Sequence, residues 1–200
     1  MRRIAHLTAL LLAVAAFSAS ANEAEVRAAS LEAVEDGLVL NADFTFELSQ
    51  RLEEIVANGV PLYFRVEFEL TRPRWYWLDE KAASRQLQLR LSYHALSRHY
   101  RLSSGLLQQN FATLGEALNV LKRVRNWLVA DRTATFSDAD YEAAVRLRLD
   151  ASMLPRPFQL SALTSRDLNL ESAWKRFNYR PPAPLPAPVE SREPRETESR

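Results

Sequence analysis

The chain has 200 residues, 26 basic and 25 acidic side chains and a formal charge of +1, with no cysteine. The missing thiols exclude disulfides, cysteine catalysis and thiolate metal sites together. A balance so close to neutral argues against a nucleic-acid binder, which carries a basic surplus on one face.

The chain opens with "MRRIAHLTALLLAVAAFSASA". Arg2 and Arg3 make a positive start, Leu7 to Phe17 is a short apolar run, and Ala19-Ser20-Ala21 supplies small residues for a signal peptidase. Residues 1–21 therefore read as a cleavable secretory signal. The run falls short of the roughly 20 apolar residues of a spanning helix, so no stable membrane insertion is expected after cleavage. Removing two arginines leaves 24 basic against 25 acidic residues, a net charge of −1. Residues 22–179 are expected to form a single β-rich domain, long enough to bury most of its apolar surface without cross-links.

Strand patterns come first. In "LVLNADFTFEL", Leu38, Leu40, Ala42, Phe44, Phe46 and Leu48 alternate with polar residues, the signature of a strand with one buried face. Asp36-Gly37 marks a hairpin turn, which makes Val26 to Val34 the partner strand. "SQRLEEIVANG" then changes period: Leu52, Ile55 and Val56 share a helical face, Ser49 caps the start and Asn58-Gly59 ends it. Alternation returns in "PLYFRVEFEL", with Leu62, Phe64, Val66, Phe68 and Leu70 inward and Arg65, Glu67 and Glu69 outward.

"TRPRWYWLDE" follows, three aromatics among charges. Continued parity would bury Arg72, Arg74 and Tyr76, so Pro73 is expected to reset the register through a turn or bulge. Trp75 and Trp77 then join the core, leaving Tyr76 half-exposed among arginines. The alternative is an aromatic platform that stacks on a ligand such as a sugar ring.

"RQLQLRLSYH" is a further strand, with Leu87, Leu89, Leu91 and Tyr93 aligned, and "RHYRLSS" returns beside it as a hairpin. A four-residue loop between them sets His94 opposite His99. Two imidazoles alone make a weak metal site, and no third ligand has suitable spacing, so no bound metal and no cofactor is expected. "TLGEALNVLKRVRNWLV" reads as the clearest helix, with Thr113 and Glu116 as a capping box and Leu114, Ala117, Leu118, Leu121, Val124 and Leu128 as its stripe. "YEAAVRLRLD" is a strand that "LPRPFQ" breaks, and "LNLESAWKRFNY" is a last short strand. Residues 180–200, proline-rich and then mixed in charge, are expected to form a disordered tail. The fold expected is mainly β with two helices: an antiparallel sandwich or strongly curved sheet.

Catalytic signatures are sparse. The four glycines give no G-x-S-x-G elbow and no phosphate loop, and H-E-x-x-H is absent. Glu53/Glu54 and Glu67/Glu69 lie on patterned surfaces, where solvated charge or cross-strand pairing with arginine is usual. The expectation is a non-catalytic binding or interaction domain, with no assigned catalytic residue; a hydrolase of an envelope polymer, using distant carboxylates, is the alternative. The candidate binding surface comprises Arg72, Arg74, Tyr76, His94 and His99. Only Lys81, Lys122 and Lys175 are lysines, against 23 arginines. Codon usage in a GC-rich genome explains that bias, and two-pronged gripping of carboxylate or phosphate is the alternative.

In order along the chain, "NGVPLYFRVEFEL", "RPRWYWLDE", "LRLSYHALSRHYRL", "LPRPFQL" and "SAWKRF" after a signal peptide resemble the DUF4390 family of exported proteobacterial proteins, over about Val26 to Phe177. The resemblance implies a periplasmic location in a Gram-negative envelope, with an unknown envelope protein or polymer as partner. It adds the alternative of an accessory to a membrane sensor kinase, and it implies no activity, cofactor or catalytic residue.

Overall fold

The computed structural model describes residues 24–73, 80–131, 136 and 139–181. The expected signal, the Arg74–Tyr76–Trp77 stretch and nearly all of the tail lie outside these residues. Strands β1 (Glu25–Val34) and β2 (Gly37–Thr45) form the first hairpin. Helix α1 (Gln50–Ala57) leads to β3 (Leu62–Arg72), then β4 (Glu80–His94), β5 (His99–Ser104) and β6 (Leu107–Phe111). Helix α2 (Leu114–Leu121), β7 (Arg123–Asp131), β8 (Tyr141–Leu149), helix α3 (Arg156–Thr164) and β9 (Lys175–Tyr179) complete the described chain.

The strands make two antiparallel sheets, one of three in the order β1-β2-β7, the other of six in the order β6-β5-β4-β3-β8-β9. They share one apolar core and do not close into a barrel. The alternation read in β2 is realised to its end: Leu38, Leu40, Ala42, Phe44, Phe46 and Leu48 are all buried. So are Leu62, Phe64, Val66, Phe68 and Leu70 of β3, which sits mid-sheet between β4 and β8. Helix α1 buries Leu52, Ile55 and Val56, and the Ser49 hydroxyl accepts from the Leu52 amide at its start.

Helix α2 differs from the sequence expectation. Its capping box is present: the Thr113 hydroxyl accepts from the Glu116 amide while the Glu116 carboxylate accepts from the Thr113 amide. Thr113→Ala should cost about 1 kcal/mol in a urea melt, and unchanged stability would mean the cap contributes nothing. The helix stops at Leu121, however, and Val124 and Leu128 belong to β7. Val124 is compatible with either period, but β2 needs a partner along its second edge, and the hydrogen-bonded ladder outweighs two more turns of helix. A third helix, α3, follows Pro155, with Pro157 in the first turn, where a missing amide costs nothing. Strand β8 ends earlier than "LPRPFQ", at Leu149, and a short 3-10 turn at Ala151–Met153 intervenes before that segment opens the helix.

The small sheet carries bulges at Arg27 and at Arg125–Asn126. Arg27 is the extra residue between the Val26–Phe44 and Ala28–Asp43 pairs. Arg125 and Asn126 lie between the Leu40–Trp127 and Ala42–Val124 pairs, so two residues oppose Asn41. Asn126 takes a left-handed φ of 50°, which asparagine tolerates, and its amide donates to Asn41 Oδ1 at 2.9 Å.

Candidate functional site

Of the residues picked out in the sequence, the described ones, Arg72, His94 and His99, do not gather at one place. His94 and His99 pair across the β4–β5 hairpin, as the loop length requires, and both are exposed. Each ring is engaged within the loop: His94 Nδ1 lies 3.2 Å from the Ser97 hydroxyl, and His99 Nδ1 lies 2.5 Å from the Ser97 carbonyl oxygen. Arg72 pairs with Glu80 at the other end of β4. Fourteen residues of strand separate the two ends, roughly 45 Å when extended. Arg74 and Tyr76 are outside the described residues. β3 and β4 do shift register between Leu70 and Thr71, but the extra residue is Ala82 on β4, which leaves the parity of β3 itself unchanged. The reset expected at Pro73 bears on residues 74–79, outside the described residues.

The outward face of β3, β8 and β9 is a ladder of ion pairs. Glu67 accepts from Arg146 Nε at 2.6 Å and from Arg148 Nη2 at 2.8 Å, and Arg146 also reaches Glu171 at 2.7 Å. The Trp174 ring lies 4.5 Å from the Arg146 guanidinium carbon. Lys81–Glu69, Arg176–Glu142 and Arg65–Asp150 extend the pattern. Glu67 is on the outward face as read, yet buried, because the arginines of β8 lie over it. Burial pushes its carboxyl up, but the hydrogen bonds and charges of Arg148 and Arg146 more than offset this and hold it below the usual range. A glycosidase acid needs the reverse, a carboxyl raised toward neutrality.

The strand count creates a different site. Six strands are roughly 24 Å wide and three roughly 10 Å, so the small sheet cannot cover the large one. The inward face of β4, β5 and β6 is left partly open beside α2 and β7. Leu87, Leu89, Leu102, Leu107, Val120 and Trp127 are among the residues lining the resulting groove of about 400 Å³. Leu107 points to the core side yet is 74% exposed, and Val120 is 38% exposed. The groove adjoins a basic basin of about 600 Å³ that contains Arg27, Lys122, Arg123 and Arg125. Arg123 and Arg125 line both.

Sequence reading missed this site. "GLLQQNF" does carry a signal, two leucines beside a turn glycine, with Leu107 and Phe111 four residues apart on one strand face. Val124 and Trp127 were hidden by the helical reading of the segment that holds them.

The chain belongs to the family described as "Domain of unknown function (DUF4390)", whose model matches residues 21–178. Neither the curated proteins nor the solved structures contain a match.

Proposed function

We propose that this DUF4390 protein is an exported, non-catalytic binding domain of the cell envelope, and that its ligand enters the groove between the two sheets. The observation that carries this reading is the open apolar groove itself. Large contiguous apolar patches are rare on soluble monomers and mark binding sites, and the leucines, valines and tryptophan of this groove adjoin one another. The buried carboxylates support the same reading, since Glu67 and Asp150 are each neutralised by arginine. The leader and the processing site at Ala19-Ser20-Ala21 support export. Among the described residues, no helix is long and apolar enough to cross a membrane.

The test is a capture experiment. The domain from residue 22 onward, with and without residues 180–200, is immobilised and exposed to envelope extract beside a Leu107→Glu variant. A defined component held by both wild-type forms and released by the variant is the expected result. Capture indifferent to Leu107→Glu would show that the groove is not the binding site.

A further inference from the structure

The groove and the basin adjoin, with Arg123 and Arg125 lining both, and they have two chemistries. The groove wall is leucine, valine and tryptophan. The basin holds four cations and one acid, Asp43. That acid is already used: Arg125 Nη2 donates to Asp43 Oδ1, and Arg125 Nη1 donates to the Ala42 carbonyl at 3.0 Å. Arg125 therefore braces the bulge. Lys122 lies 5.2 Å from the Phe46 ring centroid and has no acidic partner among the described residues. Arg27 and Arg123 have no acidic partner among the described residues.

The backbone reinforces the pattern. Two bulges, at Arg27 on β1 and at Arg125–Asn126 on β7, flank β2 beside the same basin. A bulge interrupts the ladder and redirects a side chain, and here both redirected segments carry arginine. Uncompensated cations at the end of an apolar trough match one ligand shape: an apolar chain ending in an anion. Arginine binds phosphate oxygens with directed, charge-assisted hydrogen bonds, and lysine adds a point charge. Both cavities fall within the roughly 300–1,000 Å³ of small-ligand sites.

We infer that the site binds a single-chain amphiphile with a phosphate head, its acyl chain in the groove against Leu107, Val120 and Trp127 and its phosphate among Arg27, Lys122 and Arg123. This inference rests on the groove being the binding site, and it deepens that reading by naming the ligand chemistry.

The probe is dodecyl phosphate, titrated calorimetrically below its micelle concentration into the domain from residue 22 onward. Saturable one-to-one binding is expected. Octyl phosphate should bind at least about tenfold more weakly, because each buried methylene contributes ~0.8 kcal/mol. Leu107→Glu should weaken dodecyl phosphate at least about tenfold, and because Leu107 is largely exposed its replacement leaves the core intact. Arg123→Glu should weaken dodecyl phosphate about tenfold or more, yet leave any binding of uncharged dodecyl maltoside unchanged. Inorganic phosphate alone should bind far more weakly than dodecyl phosphate. No binding of dodecyl phosphate, or binding equal in all variants, overturns the proposal. If dodecyl phosphate fails but Leu107→Glu still releases the captured envelope component, the ligand class is wrong and the groove remains the binding site. If that variant releases nothing either, both readings fall.

Discussion

Phe64→Ala is expected to destabilise the domain by ~3–5 kcal/mol, among the largest single effects available in this fold. Phe64 is fully buried on β3, mid-sheet, with Leu89 opposite it on β4 and Leu149 on β8. Its ring stacks on Phe46, which follows β2, with centroids 5.9 Å apart and planes at 26°. The residue thus joins the two sheets. Truncation removes the transfer energy of a phenyl group and leaves a cavity whose walls, hydrogen-bonded strands, cannot collapse far. Urea denaturation of wild type and variant measures the change, with Leu96→Ala as control, since Leu96 is 94% exposed in the β4–β5 loop. The control should stay within about 0.5 kcal/mol. A loss below about 1 kcal/mol for Phe64→Ala would mean that the sheets do not share a core.

The same contact explains what the sequence made legible. Period-two alternation depends only on which residues face the core, so β2, β3 and β8 are readable residue by residue. Cap chemistry is local, and the starts of α1 and α2 follow from Ser49 and Thr113. The end of α2 is not local. Leu121, Val124 and Leu128 satisfy a helical period, and only the unfilled edge of β2 decides that Arg123 onward is a strand. Strand β6 escaped for a related reason. Its Leu107 and Gln109 face the core side but are exposed, so they present none of the contrast that marks a half-buried strand.

The groove was invisible on the same grounds. It arises from pairing a sheet of three strands with a sheet of six, a property of the whole topology that no window of sequence contains. The His94–His99 pair shows the opposite case: loop length alone fixed their register, yet register says nothing of function. Glu67 lies between these extremes. Its outward parity was legible, and its burial was not, because Arg146 and Arg148 are some eighty residues away along the chain.

Glu67→Gln should therefore cost about 2–3 kcal/mol at neutral pH, less than breaking a fully dry ion pair. The amide keeps one acceptor but turns a donor toward a guanidinium. Arg146 and Arg148 then lose their shared counter-charge. Two features moderate the loss. Their side chains stay 24% and 32% exposed, so water solvates them in part, and Arg146 retains Glu171. The pH dependence separates this ion-pair role from simple packing. A carboxyl whose folded pKa is depressed stabilises the fold above its unfolded value, here the ordinary 4.5, and loses that contribution as pH falls through the lower folded value. The wild-type advantage over Glu67→Gln should thus be full at pH 7 and shrink steadily below about pH 4.5. Urea melts of both proteins at pH 7, 5 and 3 measure it. A constant gap across that range would show that Glu67 contributes by shape rather than charge. A vanishing gap at pH 7 would show that the ladder on this face carries no net stability, and the rigidity of the sheet behind the groove would then rest on the core of β3 alone.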